Sequence, residues 1–160
     1  MRKIRTGIFE TNSSSVHCIC IANDGDNIFV APKVLSCITK EFGWEHETYY
    51  DANEKADYLL TMIYCSNNPY EYLEKLRNIL HKHGIELGER KTDWYYIDHS
   101  NEWEDTLNEL LNNEESLMNF LFNPDSYVET ANDNDNCIYE LYRDIGEAKR
   151  YGFTIFVKGN

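Results

Sequence analysis

From Val16 to Ala22 every residue except His17 is apolar, the pattern of a strand covered on both faces. Asp24-Gly25 signals a tight turn, so Asn27 to Ala31 reads as the returning strand of an N-terminal hairpin, ended by Pro32. Lys33 to Tyr50 shows no regular period. Asp51 then opens a helix as N-cap, with Glu54 three residues on, and Ala52, Ala56, Leu59, Leu60 and Ile63 form its buried stripe. Asn68-Pro69 opens a second helix, buried through Tyr72, Leu73, Leu76, Ile79 and Leu80, which Gly84 closes and Ile85 caps by folding back.

Asp93 to His99 has strand character. A third helix is expected from about Glu102 to Asn112, capped by Asn101 and Glu104, with Trp103, Leu107, Leu110 and Leu111 inward. A short helix over Glu115 to Phe122 stops before Pro124, and Ser126 to Thr130 reads as a strand. Ile138, Leu141, Tyr142, Ile145 and Ala148 recur at helical spacing, and the β-branched and aromatic run Phe153 to Lys158 is a last strand. The expected fold is a single α+β domain over residues 1–160, its small, mostly antiparallel sheet built from the N-terminal hairpin and the C-terminal strand and packed with four to five helices.

Composition changes this picture little. The 160 residues are 42% hydrophobic and 14% aromatic, a folding composition, and no apolar run nears the roughly 20 residues that span a bilayer. The start, MRKIR, lacks the apolar core of a secretory signal, so a cytoplasmic protein without membrane contact is expected. Five cysteines without a CxxC pair suit reduced, buried thiols, and no metal site is expected. The net charge of −13 changes more: it disfavours direct nucleic-acid binding and suits docking onto a basic groove.

Candidate chemistry lies in three polar stretches. Asn12, Ser13, Ser14 and Ser15 lead into His17, and hydroxyls with loop amides near Arg5 suit a phosphate or carboxylate, although the same residue types also make ordinary turns. His99 follows Asp98 at a strand end ahead of a helix N-terminus, a place where anions bind. Asp133 and Asn134 belong to an Asn/Asp run whose next positions, Cys137 and Ile138, break the calcium-loop pattern, so capping of the following helix by Asp135 or Asn136 is expected. Trp44 to Tyr50 is aromatic and acidic; Glu45 and Glu47 suit an amine or a basic partner.

The segment RTGIFETNSSSVH (Arg5 to His17) resembles the N-terminal signature of a family encoded by phages and prophages. The similarity runs on through EFGWE (Glu41 to Glu45), KADYLLT (Lys55 to Thr61), YIDHS (Tyr96 to Ser100), FLFN (Phe120 to Asn123) and NDN (Asn132 to Asn134). Val16 stands in place of the family's threonine and Cys18 in place of its serine. The resemblance implies a viral origin and a bacterial cytosol.

Two functions follow as expectations. In the first, the three polar stretches converge on a pocket for a nucleotide or other phosphorylated small ligand. Arg5, Asn12, Ser13, Ser14, Ser15, Asp98, Asp133 and Asn134 would bind it, and His17 and His99 would serve as acid and base in any hydrolysis. In the second, the chain is a non-enzymatic acidic inhibitor of a basic, nucleic-acid-handling host protein, in the manner of an anti-CRISPR. The sequence identifies no cofactor.

Overall fold

The computed structural model describes residues 15–23, 30–37, 41–43, 46–89, 95–97, 103–132 and 137–159. Its centre is a four-stranded antiparallel sheet of β1 (Ser15–Ile21), β4 (Glu47–Tyr49), β7 (Tyr127–Asn132) and β8 (Thr154–Gly159), in the order β4-β7-β1-β8. Two parallel pairs of two-residue strands flank it: β2 (Val34–Leu35) with β5 (Glu86–Leu87), and β3 (Glu41–Phe42) with β6 (Tyr96–Ile97). The helices are α1 (Ala52–Cys65), α2 (Pro69–Lys82), α3 (Glu104–Asn112), α4 (Glu114–Phe122) and α5 (Ile138–Arg150). None of these is long and apolar enough to cross a membrane.

The alternation of β1 divides the core in two. Ile19 and Ile21, with Val128 of β7, join the larger cluster that α1 to α4 fill. Val16, Cys18 and Cys20, with Tyr127 and Ala131, face the amphipathic α5 through Leu141, Ile145 and Ala148. Helix burial follows the sequence pattern at most positions. In α3, Leu107, Leu110 and Leu111 are buried behind Trp103; in α2, Tyr72, Leu76, Ile79 and Leu80 are buried, while Leu73 is half-buried. Asp51 caps α1 by accepting from the Asn53 amide at 2.8 Å. Ile85 returns onto α2, its N–H bonded to Leu80 O at 3.0 Å.

Several expectations need correction. Both edges of β1 are occupied, by β7 and β8, so no edge remains for a hairpin partner; residues 24–29 lie outside the described set, and Val30 and Ala31 are not in a strand. The irregular stretch 33–50 supplies three short strands, among them β4 on the sheet edge. Trp103, not Asn101, stands at the N-cap position of α3, and it makes no side-chain cap. Cys137 stands there for α5, again without a side-chain bond, and Tyr142 is half exposed rather than inward. β7 runs past Thr130 because Ala131 and Asn132 pair with Val16 and Ser15.

Gly159 shows how tightly β8 meets β1. Its φ is +99°, and a Cβ there would stand 2.0 Å from the Ser15 carbonyl oxygen. Gly159→Ala is therefore expected to cost about 1–3 kcal/mol by strain or by unpairing the strand end. Faster amide exchange confined to the β1–β8 pairing near Val16 would record it; wild-type protection there would refute it.

Candidate functional site

His17 lies on the α1 side of the sheet and is fully buried. Its Nδ1 is 2.9 Å from the Tyr58 hydroxyl and its Nε2 is 3.3 Å from Ser15 Oγ. A hydroxyl donates or accepts, so both ring nitrogens are satisfied in either tautomer. Tyr58 is tilted against the imidazole at 5.9 Å between ring centroids, and Trp103 meets it edge-on at 6.0 Å. Phe42 closes the other side of Tyr58 at 5.0 Å. Burial pushes the Tyr58 phenol well above its usual range, so it stays protonated. The Trp103 indole Nε1 is buried without a hydrogen-bond partner among the described residues.

Of the residues expected to form a site, Ser15 and His17 are described, and they touch. Arg5, Asn12, Ser13, Ser14, Asp98, His99, Asp133 and Asn134 lie outside the described residues, as do Asp135 and Asn136. The strand register nonetheless brings together the residues that flank these stretches. Ser15 pairs directly with Asn132, and Trp103, which follows residues 98–102, packs on His17.

The segments that carry the family resemblance also meet. His17 bonds Tyr58 of KADYLLT, Phe42 of EFGWE stacks on that same Tyr58, and β3 pairs with β6 of YIDHS. Lys55 is buried, and its Nζ donates to the carbonyls of Asn123 at 2.8 Å, in FLFN, and of Ser126 at 2.9 Å. Burial holds the Lys55 ammonium down to about 8 against the pull of Asp51 and Asp125.

On the opposite face the structure opens a cleft that the sequence reading missed. Its volume is about 390 Å³, and it lies between Thr48, the β7 residues Tyr127 and Glu129, and the last turns of α5. Among the described residues four carboxylates line it: Asp125, Glu129, Asp144 and Glu147. The aromatic lining is Tyr50, Tyr127, Tyr151 and Phe153. Tyr50 and Tyr127 are 5.3 Å apart between centroids. Gly152, at φ +78°, ends α5 and turns the chain so that Phe153 N–H bonds Ala148 O at 3.1 Å, which sets Tyr151 and Phe153 on the rim.

Glu129 is 1% exposed, and its Oε1 is held by His46 Nε2 at 3.0 Å. Its carboxyl is raised from the ordinary range, chiefly by burial and further by Asp144, against the opposing bond from His46. The one available sequence signal was alternation: Tyr127, Glu129 and Ala131 share a face, so an acid sits in a buried row.

Beside Glu129 on the same face, Cys18 and Cys20 approach to 3.3 Å between sulfurs. Both are fully buried, and the Cys18 thiol is raised first by its bond to Cys20 and then by burial, which makes it a poor nucleophile. Among the described residues no three metal-ligating side chains converge. His83, one of the other histidines, pairs with Glu114 at 2.8 Å on the surface. The chain matches no protein-family model, no curated protein and no solved structure.

Proposed function

We propose that this chain is a non-enzymatic acidic interaction protein, of phage type and counter-defence role, that docks on a basic nucleic-acid-handling protein in a bacterial cytosol. The observation that supports it is the cleft: a concave surface whose lining, among the described residues, holds four carboxylates and no lysine or arginine, on a chain of net charge −13. Such a surface steers toward a positive groove and competes there with phosphate backbones. The phage setting rests on the resemblance of Arg5 to His17. Mixing the purified chain with a panel of nucleic-acid-handling proteins, a CRISPR effector among them, tests the reading. One member is expected to release its nucleic acid stoichiometrically, with an affinity that falls as salt rises. Retention of nucleic acid by every member would count against it.

A second reading is favoured by one observation, the Ser15–Asn132 pairing beside the Ser15–His17 bond. In it, the polar end of the sheet binds a nucleotide or other phosphorylated small ligand, with Arg5, Asn12, Ser13, Ser14, Asp98, Asp133 and Asn134 as its contacts and His17 or His99 as acid and base. Thermal shift against a nucleotide panel distinguishes the two. A rise in Tm that Arg5→Ala abolishes supports the pocket, and no response to any nucleotide rejects it.

A further inference from the structure

We infer that the cleft between β4, β7 and α5 is a cage for one organic cation, an ammonium or guanidinium group held against tyrosine rings with Glu129 at its floor. This deepens the docking reading and rests on it for the biological source of the cation, though not for the binding itself. Three independent features point the same way.

The first is the lining. Aromatic faces carry negative potential and attract cations, so rings interleaved with carboxylates select positive charge and reject phosphate. Tyr50 and Tyr151 are 53% and 77% exposed, large rings that line the cleft and meet solvent. Arg143 on α5 is turned onto its neighbour Asp144 at 3.0 Å between Nε and Oδ1.

The second is Glu129. It is a nine-tenths-buried carboxylate that lines the cleft, with one oxygen held by His46 and the other receiving no hydrogen bond among the described residues. The oxygen left over from the His46 bond is an acceptor at the cleft wall, and an N–H of a seated cation supplies it with a charge-assisted donor.

The third is size and spread. About 390 Å³ falls within the roughly 300–1,000 Å³ of small-ligand sites. Among the described residues no three metal ligands converge.

The cation has two chemical sources: a free amine such as a polyamine, or an arginine or lysine side chain on a basic partner. Titration of the full chain with spermidine, argininamide and an end-capped arginine-containing peptide, followed by calorimetry and by the tyrosine NMR signals, tests the cage. Citrullinamide serves as the neutral isostere. Saturable binding of at least one cation is expected, absent for citrullinamide and weakened on the order of tenfold by Glu129→Gln. Tyr151→Ala, on an exposed ring, gives the same direction if Glu129→Gln fails to fold. A preference for spermidine assigns a free amine and a preference for the peptide assigns a partner side chain; each supports the cage. No saturable binding, equal binding of citrullinamide, or affinities unchanged in both variants would overturn it. Absence of saturable cation binding together with displacement of nucleic acid from a basic protein would overturn the cage while leaving docking intact. Cation binding without any displacement would uphold the cage and remove the docking reading.

Discussion

Lys55→Ala is expected to destabilise the fold by about 3–4 kcal/mol at neutral pH, a large fraction of the roughly 5–15 kcal/mol that holds a domain together. The side chain is 1% exposed and joins α1 to the turn between α4 and β7 through the carbonyls of Asn123 and Ser126. That turn in turn holds the end of β1, because Ser126 Oγ accepts from the Ala22 amide at 2.9 Å. Alanine removes the methylene stem from a packed core and leaves the Ser126 carbonyl without its donor. Lys55→Met keeps the volume and loses only the polar contribution, so about 1–3 kcal/mol is expected for it. Urea denaturation of the two variants separates packing from hydrogen bonding.

The same residue gives a pH signature. Its amine titrates near 8 in the folded protein against 10.5 ordinarily. Between these values the unfolded chain binds the extra proton, so the Lys55 contribution to stability rises with pH across that window. Relative to Lys55→Met, the wild type is therefore expected to gain up to about 3 kcal/mol between pH 8 and 10.5. Taking the difference cancels the opposing titration of tyrosines and thiols common to both proteins. A difference that is flat or falling over that range would show that the ammonium is not desolvated.

Which parts of this architecture the sequence disclosed depends on how each residue is buried. α2, α3 and α5 bury one stripe each, and a 3.6-residue period reveals a stripe. α1 is buried on nearly every side, so Lys55, Asp57 and Thr61 gave no sign that they stand in the core. β1 announced itself as an apolar run, but its neighbours come from residues 127–132 and 154–159, and no local pattern encodes pairing at such separations. The nearby Asp24-Gly25 turn suggested a hairpin instead. β2, β3, β5 and β6 are two residues long, too short to show alternation. For the cleft the difficulty was the same. Glu129 and His46 are 83 positions apart, and each alone reads as a surface residue. His17 was legible as the start of an inward row; that its ring is closed off by Tyr58 and Trp103 depends on contacts from two distant helical segments.

His17→Ala is expected to cost about 3–5 kcal/mol, and that magnitude decides what the histidine is for. The imidazole fills space between two aromatic rings and satisfies the Tyr58 hydroxyl, whose removal from solvent is complete. Alanine opens a cavity there and orphans a buried phenol, two penalties that add. Tyr58→Phe removes only the hydroxyl and is expected to cost about 1–3 kcal/mol through the lost bond to Nδ1. Because both changes delete the same His17–Tyr58 hydrogen bond, the double variant should fall short of their sum by about 0.5–3 kcal/mol. A catalytic histidine lining a pocket behaves differently: its replacement abolishes turnover and leaves stability near wild type, since active-site groups are seldom the ones that hold the fold. Denaturation midpoints for His17→Ala, Tyr58→Phe and the pair thus separate the roles. A stable, fully folded His17→Ala with no coupling to Tyr58 would return His17 to the list of acids and bases, and would strengthen the phosphorylated-ligand reading of the sheet end at the expense of the acidic docking one.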